Sequence, residues 1–224
     1  MCTQLRYIYY RLAIMKKSIR NTSFGIADLV IDPFLPQITK LISENAVSVV
    51  SAATGSGKSL GVPSALVTQN NTPYNRVFVC VPTRVAATSL QSSQISMTGI
   101  DTAYSVEGYK TPNYHKAKIV YATFGHVYRK LLHLSKIYHS GHDDSAGSTV
   151  VRDLDFCDVL IVDEVHSGSV ESSMVLLLWQ YFHSLGKRVP KLVLASATLA
   201  PKHYEMFKIN NEQIFDVDEK LKRK

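Results

Sequence analysis

Val47-Ser48-Val49-Val50-Ser51-Ala52-Ala53-Thr54-Gly55-Ser56-Gly57-Lys58-Ser59 is the stretch that decides the fold. Its first four residues read as a short buried strand. Ala52 to Ser59 fit the phosphate-loop (Walker A) pattern G-x-x-x-x-G-K-[ST] everywhere except the first position, where alanine stands for glycine. Downstream, Leu60–Gln69 is compatible with a helix, although Gly61 and Pro63 predict an irregular first turn. Gly55 and Gly57 let the backbone of Ala53, Thr54, Gly55, Ser56 and Gly57 curl, so that successive N–H groups turn toward phosphate oxygens. The helix N-terminus adds its positive dipole end. Lys58 can reach the β- and γ-phosphates, and the Ser59 hydroxyl can ligate Mg²⁺. The expected ligand is ATP, or another nucleoside triphosphate, with Mg²⁺. The same letters alone also describe a Gly/Ser turn before a surface lysine, so the rest of the chain must decide.

Composition sets the outer limits. With 224 residues, 46% hydrophobic and 19% charged, the chain can bury a substantial core in one large domain or two small ones. The apolar run Met174–Trp179 is far too short to span a membrane. The net charge of +7 is unevenly placed. Arg6, Arg11, Lys16, Lys17 and Arg20 all precede the first acidic residue, Asp28, so overall charge says little about a nucleic-acid groove in the folded body. Cys2, Cys80 and Cys157 form no C-x-x-C pair, which argues against a disulfide framework or a zinc site and for reduced thiols in a cytoplasmic setting.

Residues 1–23 read as a basic tail or flanking helix, with Leu5, Ile8, Leu12, Met15 and Ile19 on one stripe. An organelle presequence or a membrane-surface helix fits the same residues. From residue 24 to 212 five apolar runs follow, Val47–Ala53, Val77–Val81, Ile119–Ala122, Val159–Val162 and Leu192–Ala195. They are near-continuous rather than alternating. The segments Leu35–Glu44, Leu60–Gln69, Arg84–Ser93, His126–Leu134 and Val170–Leu185 are helix-compatible. This predicts an α/β fold, a mostly parallel central sheet with helices on both faces. Ser135–Asp155, with His139, His142, Asp143 and Asp144, reads as a solvated loop rather than a metal site. Residues 213–224 read as a charged tail.

Two further strand ends carry chemistry. Val159–Val162 runs into Asp163-Glu164-Val165-His166, placing paired carboxylates at the sheet edge where open α/β sheets bind ligands. Asp163 can hold Mg²⁺, and Glu164 can orient and deprotonate an attacking water. Leu192–Ala195 leads to Ser196-Ala197-Thr198, whose hydroxyls can report what occupies the neighbouring loop. Alone, each has a plain reading, a charged strand end capping the next helix or a turn of small residues.

As an ordered set these residues resemble the first RecA-like domain of a superfamily 2 helicase of the DExH type. The likeness extends to DEAH-box RNA helicases and to helicases of positive-strand RNA viruses such as flaviviruses and potyviruses, and it covers about residues 30–205. Alanine is often the first loop residue in that family. Val81-Pro82-Thr83-Arg84-Val85-Ala86-Ala87 resembles motif Ia, and Tyr121-Ala122-Thr123-Phe124-Gly125 the Thr-x-Gly motif. Asp163–His166 resembles motif II and Ser196–Thr198 motif III. Leu35-Pro36 and Glu107-Gly108-Tyr109 also fit.

The resemblance implies that Lys58, Asp163, Glu164 and His166 are catalytic and that Ser196 and Thr198 couple hydrolysis to strand movement. It implies that Pro82, Thr83, Arg84, Thr123 and Gly125 touch the backbone of single-stranded RNA, or of DNA. Hydroxyls, N–H groups and one arginine suit phosphates and sugars rather than base edges. It further implies a second RecA-like domain, expected to be absent from this chain, and a weakly active fragment of viral replication machinery. Two other readings stay open. A P-loop nucleotide kinase would leave Thr-x-Gly and Ser-Ala-Thr unexplained. A nucleotide-regulated RNA-binding module without helicase activity would keep all the motifs.

Overall fold

The computed structural model describes residues 29–68, 74–140, 154–198 and 205–222. A 3-10 turn, Asp32–Phe34, leads into α1 (Leu35–Glu44), β1 (Val47–Ser51) and α2 (Lys58–Thr68). Then come β2 (Val77–Val81), α3 (Arg84–Thr98), β3 (Thr102–Val106), β4 (Tyr109–Lys110) and β5 (Ile119–Thr123). The chain continues through α4 (Phe124–Ser140), β6 (Val159–Val162), α5 (Val170–Ser184), β7 (Lys191–Ser196), β8 (Ile214–Asp216) and α6 (Val217–Lys222).

The strands form one sheet in the order β4-β3-β5-β2-β6-β7-β1-β8, parallel at every pairing except the short β3–β4 hairpin. Register is regular: Val77 sits opposite Ile119 on one side and Val159 on the other. Successive side chains of a strand point to opposite faces, and this divides the core. Val50, Val79, Tyr121, Ile161 and Val193 face α1, α2 and α3. Val49, Phe78, Val120, Leu160 and Leu192 face α4 and α5. Burial on both faces explains why these strands are unbroken apolar runs.

Three expectations need correction. Residues 213–224 do not behave as a charged tail over the part described. Phe215 and Val217 are buried, and β8 extends the sheet beside β1 with Phe215 opposite Val50. Two apolar side chains outweigh the surrounding charge, because an exposed sheet edge gains from being paired. Residues 135–140 continue α4 instead of opening a loop. Residues 141–153, with His142, Asp143 and Asp144, lie outside the described residues, as does the side chain of His139; so do residues 1–28. The turn expected at Gly61 and Pro63 is helical, since both lie inside α2.

The α4–α5 face is anchored by Trp179, which is fully buried. Its indole Nε1 donates to the Pro190 carbonyl at 2.8 Å, and its ring stacks on His183 with centroids 5.0 Å apart. Trp179→Ala is expected to destabilise the fold by about 3–5 kcal/mol, the usual cost of emptying a large aromatic site. Urea unfolding followed by circular dichroism checks this. A loss below about 1 kcal/mol would show that the face does not depend on it.

Candidate functional site

Because β1, β2, β5, β6 and β7 are parallel, their carboxyl ends lie along one edge. That single fact collects the motifs. β1 ends in the phosphate loop, β6 in Asp163 and Glu164, β7 in Ser196, β2 in Pro82 and β5 in Thr123. β7 separates β1 from β6, so Ser196 stands between the loop and the carboxylates.

The loop has the shape its glycines require. Gly55 and Gly57 have φ of 80° and 94°, in the left-handed region. A Cβ on Gly57 would also meet the Leu29 side chain at 2.8 Å. Lys58 opens α2 and is 95% buried, its ammonium donating to the carbonyls of Ala52 (2.6 Å) and Ala53 (3.0 Å). The lysine thus lies folded over its own loop. Ala53, Thr54 and Gly55 are exposed at the edge. Ser56 is buried, and its Oγ is an orphaned polar atom without a protein partner.

Across the edge, the Ser59 hydroxyl donates to Asp163 Oδ2. Asp163 is buried, its backbone N–H donates to the Cys80 carbonyl at 2.9 Å, and its Oδ1 accepts from the Glu164 N–H at 2.9 Å. Burial pushes the Asp163 carboxyl above its ordinary range, opposed by the Ser59 hydroxyl and reinforced by the Glu164 charge. A buried carboxylate and a hydroxyl brought together are hard oxygen donors, which suit Mg²⁺. With the unpartnered Ser56 hydroxyl, the residues present fit a magnesium-bound nucleotide.

Glu164 is one of two non-glycine residues at positive φ among those described, at 54°. Such a conformation costs on the order of 1–3 kcal/mol and clusters at functional sites. It turns the carboxylate back toward His166, whose Nε2 lies 3.1 Å from Glu164 Oε2. The other ring nitrogen, Nδ1, is 3.0 Å from Ser196 Oγ. Ser196 Oγ in turn accepts from the Thr198 N–H at 3.1 Å and donates to the Thr198 carbonyl, while the Ser196 carbonyl accepts from Ala52 N–H at 3.1 Å. Glu164, His166, Ser196, Thr198 and the phosphate loop are therefore one connected chain.

The residues expected at nucleic acid gather beside this chain. Pro82, Arg84, Thr123 and Gly125 line a groove of about 250 Å³, with Glu107, Phe124, Arg129, Ser169 and Glu171. Thr83 is not among its lining residues. It is the N-cap of α3, and its Oγ1 accepts from Ala86 N–H at 3.0 Å. Sequence reasoning missed Arg129 and gave Glu107 no role. Glu107 Oε2 is 3.5 Å from Arg84, its Oε1 pairs with Arg129, and Arg129 Nε donates to the Gly125 carbonyl at 3.2 Å. The two guanidiniums hold the Glu107 carboxyl below its ordinary range, Arg129 more than Arg84. An arginine one helical turn after Gly125 was the available signal for Arg129. No spacing rule could reveal its carboxylate.

Comparison with known proteins identifies the family. The model of the DEAD/DEAH box helicase family matches residues 34–207. The human ATP-dependent RNA helicase TDRD9 is 26% identical over 215 residues, covering 90% of this chain and 14% of that protein. The probable ATP-dependent RNA helicase spindle-E of Drosophila virilis is 24% identical over 177 residues, covering 76% of this chain and 11% of that protein. This chain therefore spans a small part of its relatives' length. In the crystal structure of the Escherichia coli DEAH/RHA helicase HrpB the same fold recurs, with a TM-score of 0.57 at 20% identity over 80% of this chain and 21% of that one. With the phosphate loop, Asp163–His166 and Ser196–Thr198 joined along one sheet edge inside the matched span, the chain belongs to the DEAD/DEAH box helicase family.

Proposed function

We propose that this chain is the ATP-binding motor domain of an RNA helicase, hydrolysing Mg²⁺–ATP and coupling that reaction to single-stranded RNA held in the adjoining groove. The contact of Ser59 with Asp163, beside a groove carrying Arg84 and Arg129, is the observation that carries this reading. Lys58 pairs with phosphate, and the loop N–H groups hold the remaining oxygens. Ser59 and Asp163 would hold Mg²⁺, which when bound neutralises charge on the phosphates. Glu164 orients a water toward the γ-phosphorus and accepts its proton as the bond to the ADP oxygen breaks. His166 keeps that carboxylate aimed and, through Ser196 and Thr198, ties it to β7.

The exposed loop at Ala53–Gly55 is one wall of the site, and a second RecA-like domain forms the other. Arginine fingers of the kind such a domain supplies are worth about 10³–10⁵ in rate, so hydrolysis without it is slow. No described helix is long and apolar enough to cross a membrane. A viral setting is the other expectation from the resemblance; the proteins named above come from animals and a bacterium.

ATP hydrolysis with the second domain present rises on adding single-stranded RNA. Hydrolysis that ignores RNA but needs a small phosphate acceptor would favour a nucleotide kinase. Binding to RNA without hydrolysis would favour a regulatory binding module.

The groove makes its own prediction. Arg84→Ala and Arg129→Ala each weaken single-stranded RNA binding irrespective of sequence, and each flattens the slope of log K against log salt by about 0.7. Glu107→Gln strengthens binding, because it removes the carboxylate competing for both arginines. Fluorescence anisotropy with homopolymer RNA at several salt concentrations reads all three. Unchanged slopes would remove these residues from the interface.

A further inference from the structure

Pro63 lies inside α2, and proline has no backbone N–H. In a regular helix that N–H would donate to the carbonyl four residues earlier, which belongs to Ser59. The metal-side residue of the phosphate loop therefore loses its own helical donor. The structure supplies another. The Tyr121 hydroxyl, reaching across from β5, donates to the Ser59 carbonyl at 2.8 Å.

Tyr121 is itself held. It is fully buried, and Gln94 Oε1, at 2.9 Å, is a second acceptor for its one hydrogen, slightly farther off than the Ser59 carbonyl. Gln94, also fully buried, donates from Nε2 to Ser64 Oγ at 2.6 Å and to Thr98 Oγ1 at 3.0 Å. Tyr121, Gln94, Ser64 and Thr98 thus form a polar cluster in an apolar layer beside the Ser59 carbonyl.

We infer that Tyr121 is a positioning residue for Ser59: its hydroxyl stands in for the N–H that Pro63 lacks and fixes the first turn of α2, so that the Ser59 side chain meets Asp163 where the metal binds. This rests on the magnesium–nucleotide reading above. Tyr121 touches neither metal nor nucleotide and acts only through Ser59.

The test is Mg²⁺-dependent binding of a fluorescent ATP analogue to the wild type, to Tyr121→Phe and to Tyr121→Phe/Pro63→Ala. Tyr121→Phe removes one oxygen and keeps the ring. It raises the Mg²⁺ concentration for half-maximal binding by about 3- to 10-fold, the range of one hydrogen bond, while binding in EDTA is unchanged. Pro63→Ala restores the backbone donor, so the double variant returns to the wild-type Mg²⁺ requirement. An unchanged requirement in Tyr121→Phe, an equal loss with Mg²⁺ and with EDTA, or no rescue by Pro63→Ala would each overturn the inference. Wild-type protein that binds the analogue without regard to Mg²⁺ would instead refute the reading on which it rests.

Discussion

Glu164→Gln slows ATP hydrolysis by about 10²–10⁴-fold, the range for loss of a general base, and leaves Mg²⁺–ATP binding near the wild-type level. Binding survives because the groups that hold phosphate and metal, Lys58, Ser59 and Asp163, are untouched. The amide keeps the shape of the carboxylate but cannot take a proton from water. Its backbone holds the same left-handed conformation, since φ of 54° is tolerable for glutamine as for glutamate. Single-turnover hydrolysis beside a binding titration separates the two effects. Loss of binding in step with rate would make Glu164 a binding residue. Full activity would move the general base elsewhere.

Lys58→Ala lowers ATP affinity by about 10- to 150-fold, the range for a hydrogen bond to a charged group. The lysine has a second, structural task, because its ammonium satisfies the Ala52 and Ala53 carbonyls. Some loss of stability therefore accompanies the loss of affinity. A thermal-unfolding curve recorded without nucleotide isolates that part. If the affinity of a folded Lys58→Ala variant matched wild type, the loop would not be a phosphate site.

Much of this was legible because it is local. The five central strands are buried on both faces, so each leaves an unbroken apolar run. The phosphate loop announces itself through Gly55, Gly57 and Lys58, whose spacing follows from backbone geometry. β3 was missed because Thr102, Tyr104 and Ser105 interrupt any apolar run. Thr102 and Ser105 are nevertheless buried, their hydroxyls satisfied by the Ile100 carbonyl and by His126. β8 was missed because the charges around Phe215 and Val217 masked them.

What could not be read is contact between distant residues. Arg129 meets Glu107, and Tyr121 meets Ser59 at a carbonyl that only Pro63 leaves without a helical donor. Nor could the sequence show that the side-chain oxygen of Thr83, placed in a nucleic-acid motif, also accepts from Ala86 to cap α3.

Phosphate release from Mg²⁺–ATP, followed with and without single-stranded RNA for the chain together with a second RecA-like domain, measures whether the nucleotide edge and the groove form one machine. RNA should raise the rate in wild type, and raise it less in Arg84→Ala and Arg129→Ala. A rate indifferent to RNA in all three would contradict the coupling of the two sites.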